Sequence, residues 1–292
     1  MNFTSDRARQ LKLGFCLAVA TTLLGGCAGL VSKATDRMAT NLGNAVLNQD
    51  DPATVRDGLP AYLLLLDGLL EGSPDSPALL ASSSRMYSSY AGSFVHDNIR
   101  AKRLSKKALD RAWKALCIKP GEVCALKDLG FEEFADAAAR LDDGQIEGAY
   151  LLGSAWATYI QARRDDWVAI ADIPKVDSLL QRVAGRRPDI DHGMAWVYLG
   201  VLNSLRPAAV GGEPEKGRAA FERAVDLSDG RNLMAKTLFA EFYARLVFDQ
   251  ELHDQLLNEV ISADPDSPGL TLSNVLAQDR AKELLAGSAD YF

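Results

Sequence analysis

GMAWVYLGVLNSLRPAAVGGEPEKGRAAFERAVDLSDGRN, running from Gly193 to Asn232, is the stretch that decides the fold. It reads as two helices joined by a Gly/Pro-rich loop. Trp196, Leu199, Gly200 and Asn203 recur at helical spacing in the first helix, and Gly217, Phe221 and Ala224 in the second. Gly200 and Gly217 carry no side chain, so two antiparallel helices can approach closely there. Trp196, Leu199 and Phe221 then fill the space around the contact.

Large and small residues alternating along two packed helices is the layout of a tetratricopeptide unit, and the order W-x2-LG followed by x3-F-x2-A resembles that pattern. The departures are Asn203 where an aromatic is usual, a longer loop, and Asp229 where a proline usually closes the unit. Working outward, one further pair is expected at Asn232–Phe248 and Glu251–Ala263, and then a terminal covering helix from Pro268 to Leu285. Before the unit come expected helices at Phe131–Leu141 and Ile146–Arg164, and one beginning at Pro174. The closing signals Pro188, Asp229 and Pro265 are 41 and 36 residues apart, against a tetratricopeptide period of about 34. No stretch alternates with period two, which leaves almost no strand. The expected fold is all-α, a solenoid or bundle of degenerate tetratricopeptide-like helix pairs.

The N-terminal segment reads as a targeting signal. Arg7, Arg9 and Lys12 precede an apolar or small run from Leu13 to Leu24. As a helix this run rises only about 18 Å, too short for a hydrocarbon core of about 30 Å. Leu24-Gly25-Gly26-Cys27 resembles a bacterial lipobox, which implies acylation of Cys27 and anchoring in a membrane. Ala28, rather than Asp, goes with export to the outer membrane. The expected organisation is a signal peptide over 1–26, a lipidated tether over 27–50 and a helical domain over 51–292, on the periplasmic face of the envelope. Losing the signal, with three basic residues and one acidic, takes the net charge from −7 to −9. Such a chain is not built for nucleic acid, whose phosphates need positive charge.

Cys117 and Cys124 remain as a pair across the turn signal Pro120-Gly121. An oxidising envelope favours a disulfide closing this turn; two buried thiols or a reactive pair are the alternatives. Upstream, Asp51-Pro52 and Ser76-Pro77 start helices. The run from Tyr62 to Leu70 is apolar on nearly every face, so a helix buried on several sides is expected. Ile99–Cys117 is amphipathic, with Leu104, Ala108, Ala112 and Leu116 as its core stripe. Its other side carries Arg100, Arg103, Lys107, Arg111 and Lys114, flanked by Lys102 and Lys106. That side reads as a solvated face, with contact to anionic lipid or an acidic partner as the functional alternative.

Motifs for catalysis are missing. His96, His192 and His253 have no i, i+4 partner, no G-x-S-x-G elbow occurs, and Gly212 to Arg218 lacks the Lys-Ser/Thr of a phosphate loop. His192 beside Asp189 and Asp191 reads as an acidic helix start rather than a metal site. The reading is a protein that is not an enzyme, with no metal and no cofactor. Trp156, Trp167 and Trp196 recur near the inner faces of successive helix pairs, with Tyr150, Tyr159, Tyr198 and Phe239 near them. Each alone reads as core packing; together they suggest a pocket.

DPATVRDGLPAYLLLLDGLLEGSPDSPALL, RAKRLSKKALDRAWKALC and GGEPEKGRAAFERAVDLSDGRNL look like the T-component family of TRAP transporters, and the resemblance runs from about Asp50 to Ala286. It implies a periplasmic lipoprotein accessory to ion-driven uptake of organic solutes. By that resemblance the chain self-associates as a homo-oligomer, docks an extracytoplasmic TRAP solute receptor and handles an apolar or amphipathic ligand in a cleft. Tyr150, Trp156, Tyr159, Trp167, Trp196 and Asn203 are the candidate cleft residues. The alternative is a general envelope scaffold for protein–protein interaction without a ligand.

Overall fold

In a computed structural model of the chain, the described residues are 37–38, 41–118, 121–210 and 212–292. The signal segment, Cys27 and part of the tether lie outside them. All regular structure among the described residues is helical. Helix α1 (Pro52–Gly72) is capped by Asp51, whose carboxylate accepts from the Ala53 amide at 2.9 Å. Helix α2 (Pro77–Phe94) starts at Ser76 and α3 (Asn98–Cys117) at Asp97, both capped through their side chains. A disulfide joins Cys117 to Cys124 in the short α4 (Glu122–Ala125), with the Cα atoms 5.1 Å apart.

Next come α5 (Phe131–Ala139), α6 (Ile146–Gln161), the short α7 (Trp167–Ile170) and α8 (Ile173–Arg186). The deciding stretch forms α9 (Met194–Asn203) and α10 (Pro214–Leu227). Helix α11 (Leu233–Leu238) continues into a π turn (Phe239–Ala244), and α12 (Gln250–Ser262), α13 (Thr271–Ala286) and α14 (Ser288–Tyr291) complete the chain. Neighbours in sequence pack as neighbours in space: α2 on α3, α6 on α8, α8 on α9, α9 on α10, and α12 on α13. Among the described residues two hydrophobic cores form, one from α3 to Ala220 of α10 and one from α9 to α13. Helix α9 serves both, sending Leu199 into the first and Val197 into the second.

The close approach read from the two glycines is present. A Cβ on Gly200 would lie 2.7–2.8 Å from carbons of the Phe221 ring, and one on Gly217 would lie 3.0 Å from the Gly200 carbonyl. The covering helix α13 buries Leu272, Ala277, Ala281 and Leu284. It is pinned by the fully buried Asn274, which accepts from the Leu233 amide at 3.0 Å and donates to the carbonyls of Arg231 and Pro265.

Three expectations are corrected. Helix α1 is buried on one face only: Val55, Leu59, Leu63, Leu66 and Leu70 face inward, whereas Leu64 is 70% exposed. The physical reason is position, since α1 packs chiefly on α2. The inner seam of α3 is rotated, with Ser105, Leu109 and Trp113 joining Ala108 and Ala112 while Leu104 and Leu116 are only half-buried. Trp113 is turned inward to meet Trp156. Finally, the acidic stretch before α9 is a 3-10 turn (Ile190–Gly193) rather than a simple helix start, with Asp191, His192 and Gly193 at φ of 50°, 54° and 82°.

Candidate functional site

Trp156 is buried between Trp113 and Phe134, with edge-on ring contacts at 5.8 and 5.9 Å. Its indole N–H donates to the Asp172 carboxylate, whose pKa burial nonetheless raises. Tyr150 belongs to the same core, and Tyr159 and Trp196 pack half-buried against it. The Arg163 guanidinium lies 3.9 Å from the centre of the Tyr159 ring. Trp196 Nε1 is buried and has no hydrogen-bond partner among the described residues. Asn203 ties two helices together, donating to Asp177 of α8 at 3.0 Å and to the Leu199 carbonyl at 2.9 Å. Trp167 is 82% exposed beside the equally open Val168. The structure thus brings Tyr150, Trp156, Tyr159 and Trp196 to one core and leaves Trp167 at the surface.

A group that sequence reasoning missed sits where α6 meets α9. The Tyr150 hydroxyl donates to Asp191 Oδ2 at 2.5 Å. Burial, and then the Asp191 charge, push the Tyr150 phenol well above its ordinary range, and the same two causes raise Tyr198. Both phenols are therefore held neutral, and Tyr150 is the one that donates to Asp191. Asp191 reaches Tyr150 from a backbone that two non-glycine residues in succession adopt in the left-handed region, which costs about 1–2 kcal/mol per residue. The hydrogen bond from Tyr150 and one from Asn232 Nδ2 to the His192 carbonyl at 3.2 Å oppose that cost. Gly193 ends the turn under the Ala224 carbonyl, where a Cβ would come within 3.3 Å. Only the glycine was visible in the sequence; the approach of α6 to Asp191 was not.

The basic side of α3 is largely spoken for within the protein. Lys107 and Arg111 both bind Asp67 of α1, at 2.5 and 2.6 Å, and both sit over the Tyr87 ring. Lys102 pairs with Asp165, Lys106 with Asp110 and Lys114 with Asp75, while Arg100 lies over Tyr90. The side is divided: Arg100, Arg103, Lys106 and Lys114 are exposed, as in a solvated face, whereas Lys107 and Arg111 join α3 to α1 through Asp67, and Arg111 is largely shielded. The signal available in the sequence was Asp67, the lone acid inside the apolar run of α1.

Among the described residues, no group of three or more His, Cys, Asp and Glu is placed to hold a metal ion, and no helix is long and apolar enough to cross a membrane. Packed helix pairs, a filled core and aromatic side chains open to solvent define a helical scaffold, a class that works by contact with other molecules. The chain belongs to the TRAP transporter T-component family, which matches residues 48–292. Membership implies association with components of a TRAP system, and the family is one of transport accessories. A search of curated proteins finds no match to the chain.

Proposed function

We propose that this protein is an accessory lipoprotein of a TRAP-type solute uptake system. It is anchored through acylated Cys27 on the periplasmic face of the outer membrane and docks an extracytoplasmic solute-binding receptor. The family match over residues 48–292 carries this reading. Trp167 supports it: a tryptophan open to solvent on α7, beside the exposed Val168, is the kind of anchor on which protein interfaces concentrate their binding energy. The proposal includes the handling of an apolar or amphipathic ligand.

Cross-linked affinity purification of the acylated protein from its native envelope, read by mass spectrometry, tests the docking role. Enrichment of an extracytoplasmic solute receptor, reduced at least tenfold by Trp167→Ala, is the expected result. A receptor present in the envelope but not captured would overturn the docking role and leave a general scaffold.

A further inference from the structure

The start of α3 and the turn from α6 into α7 meet at one junction. Lys102 pairs with Asp165 across it at 2.7 Å, and the Arg163 guanidinium donates to Ser105 Oγ at 3.2 Å and to the Lys102 carbonyl. Beside it three apolar side chains stand open: Trp167 and Val168 on α7, and Ile99 in the first turn of α3, which is 78% exposed. Five cations gather there, Arg100, Lys102, Arg103, Arg163 and Arg164. Only three acids accompany them, Asp97, Asp165 and Asp166, on a chain whose net charge is −7.

All three acids have partners within the protein. Asp97 caps α3, accepting from the Arg100 amide at 2.6 Å, and Asp166 caps α7, accepting from the Val168 amide at 2.9 Å. Asp165 is held by Lys102, and the Arg164 charge acts on it more weakly. Arg100, Arg103 and Arg164 are exposed and form no ion pair among the described residues. Arg100 only lies over Tyr90, 5.3 Å from the ring centre. Local stability does not call for an arginine there. Arg100 is the third residue of α3, where an acid would complete a capping box with Asp97 and suit the positive end of the helix dipole. Tryptophan and arginine are the residues on which interfaces concentrate binding energy, and the guanidinium fork matches a carboxylate.

We infer that the protein face docking at this junction is acidic, with a recess for Trp167 and carboxylates that pair with Arg100, Arg103 and Arg164. Its bearer is the receptor of the docking role proposed above, on which this reading rests. A folded partner can set carboxylates opposite the arginines alone. The phosphates of an anionic bilayer would also confront Asp97, Asp165 and Asp166. Charge of this kind steers association and loses its effect as salt rises.

The test is cross-linked capture of the receptor from the native envelope by the full acylated chain and its variants. Arg100→Glu combined with Arg103→Glu reverses the charge while completing the capping box of α3. Capture is expected to fall at least tenfold with no loss of melting temperature. Arg223→Glu makes the same reversal at an exposed site on α10 and is expected to leave capture unchanged. Arg103→Lys keeps the charge and the capture, and a carbodiimide is expected to couple its amine to Asp or Glu side chains of the receptor. Full capture by the double variant, with capture lost in Trp167→Ala, would overturn the acidic face and leave docking intact. Equal loss in Arg223→Glu would trace the effect to net charge and overturn the pairing. No capture by the wild-type chain would overturn both. Arg103-dependent binding of the unacylated chain to phosphatidylglycerol vesicles, with receptor capture unchanged in the double variant, would assign the junction to lipid instead.

Discussion

Replacing Gly200 with alanine isolates the contact that organises the fold. The added methyl would sit 2.7–2.8 Å from three ring carbons of Phe221. That ring cannot retreat freely, because Phe221 is fully buried and stacks on Phe239 with the centroids 5.2 Å apart. Overpacking of this kind costs about 1–3 kcal/mol. Helix propensity returns about 1 kcal/mol when glycine becomes alanine. The net expectation is a loss of about 0–2 kcal/mol. Gly68 is the internal control: it is also inside a helix, but a Cβ there meets nothing within 4 Å. Gly68→Ala is expected to stabilise by about 0.5–1 kcal/mol, so the two variants should differ by about 2 kcal/mol. Urea unfolding followed by circular dichroism reads both. Adding Phe221→Leu to Gly200→Ala should recover part of the loss, a coupling of about 0.5–3 kcal/mol. A Gly200→Ala variant as stable as Gly68→Ala would refute the argument that close helix approach selects glycine at this position.

Asp67→Asn should destabilise by about 1–3 kcal/mol, because Arg111 is left largely shielded without its carboxylate. Burial raises the Asp67 pKa, but hydrogen bonds from Lys107, Arg111 and Tyr87 outweigh it and leave it below its ordinary value. Its contribution is thus complete above about pH 4 and fades as pH falls through the lower folded value; the gap between wild type and variant should close in acid unfolding curves. Reducing the Cys117–Cys124 bond should cost about 2–3 kcal/mol, read as a lower urea midpoint in the presence of dithiothreitol. Asn203→Ala should cost about 1–2 kcal/mol. It should also raise the Asp177 carboxyl further, since burial lifts that group and Asn203 pulls it back. A raised carboxyl penalises the fold most above its folded pKa, so this variant's deficit should shrink as pH falls toward the unfolded value, which unfolding at stepped pH would show.

The helices were largely legible because their punctuation is local. Asp51-Pro52, Ser76-Pro77 and Pro214 start helices in the structure as their chemistry dictates, and Gly72-Ser73-Pro74 stops one. The pair α9 and α10 was legible for a second reason: its large and small residues register the shape of a partner only a loop away. The chemistry around the helix ends was not legible. Asp191 and Tyr150 are 41 residues apart, and what unites them is a left-handed turn whose sequence carries only Gly193 as a marker. The basic side of α3 read as a surface, and Arg100, Arg103, Lys106 and Lys114 are exposed; what periodicity did not report is that α1 stands over Lys107 and Arg111.

The sequence by itself determined an all-helical chain, its helix boundaries to within a few residues and its family, because spacing, caps and glycine placement act over a handful of residues. Only the tertiary structure decided which aromatic side chains are consumed by packing and which meet solvent. Trp156 and Trp167 are 11 residues apart and read alike in sequence, yet one is buried against Trp113 and Phe134 and the other lies open on α7. The reason is that burial of a side chain is set by what arrives beside it from elsewhere in the chain, and that information is spread over distances no local pattern spans.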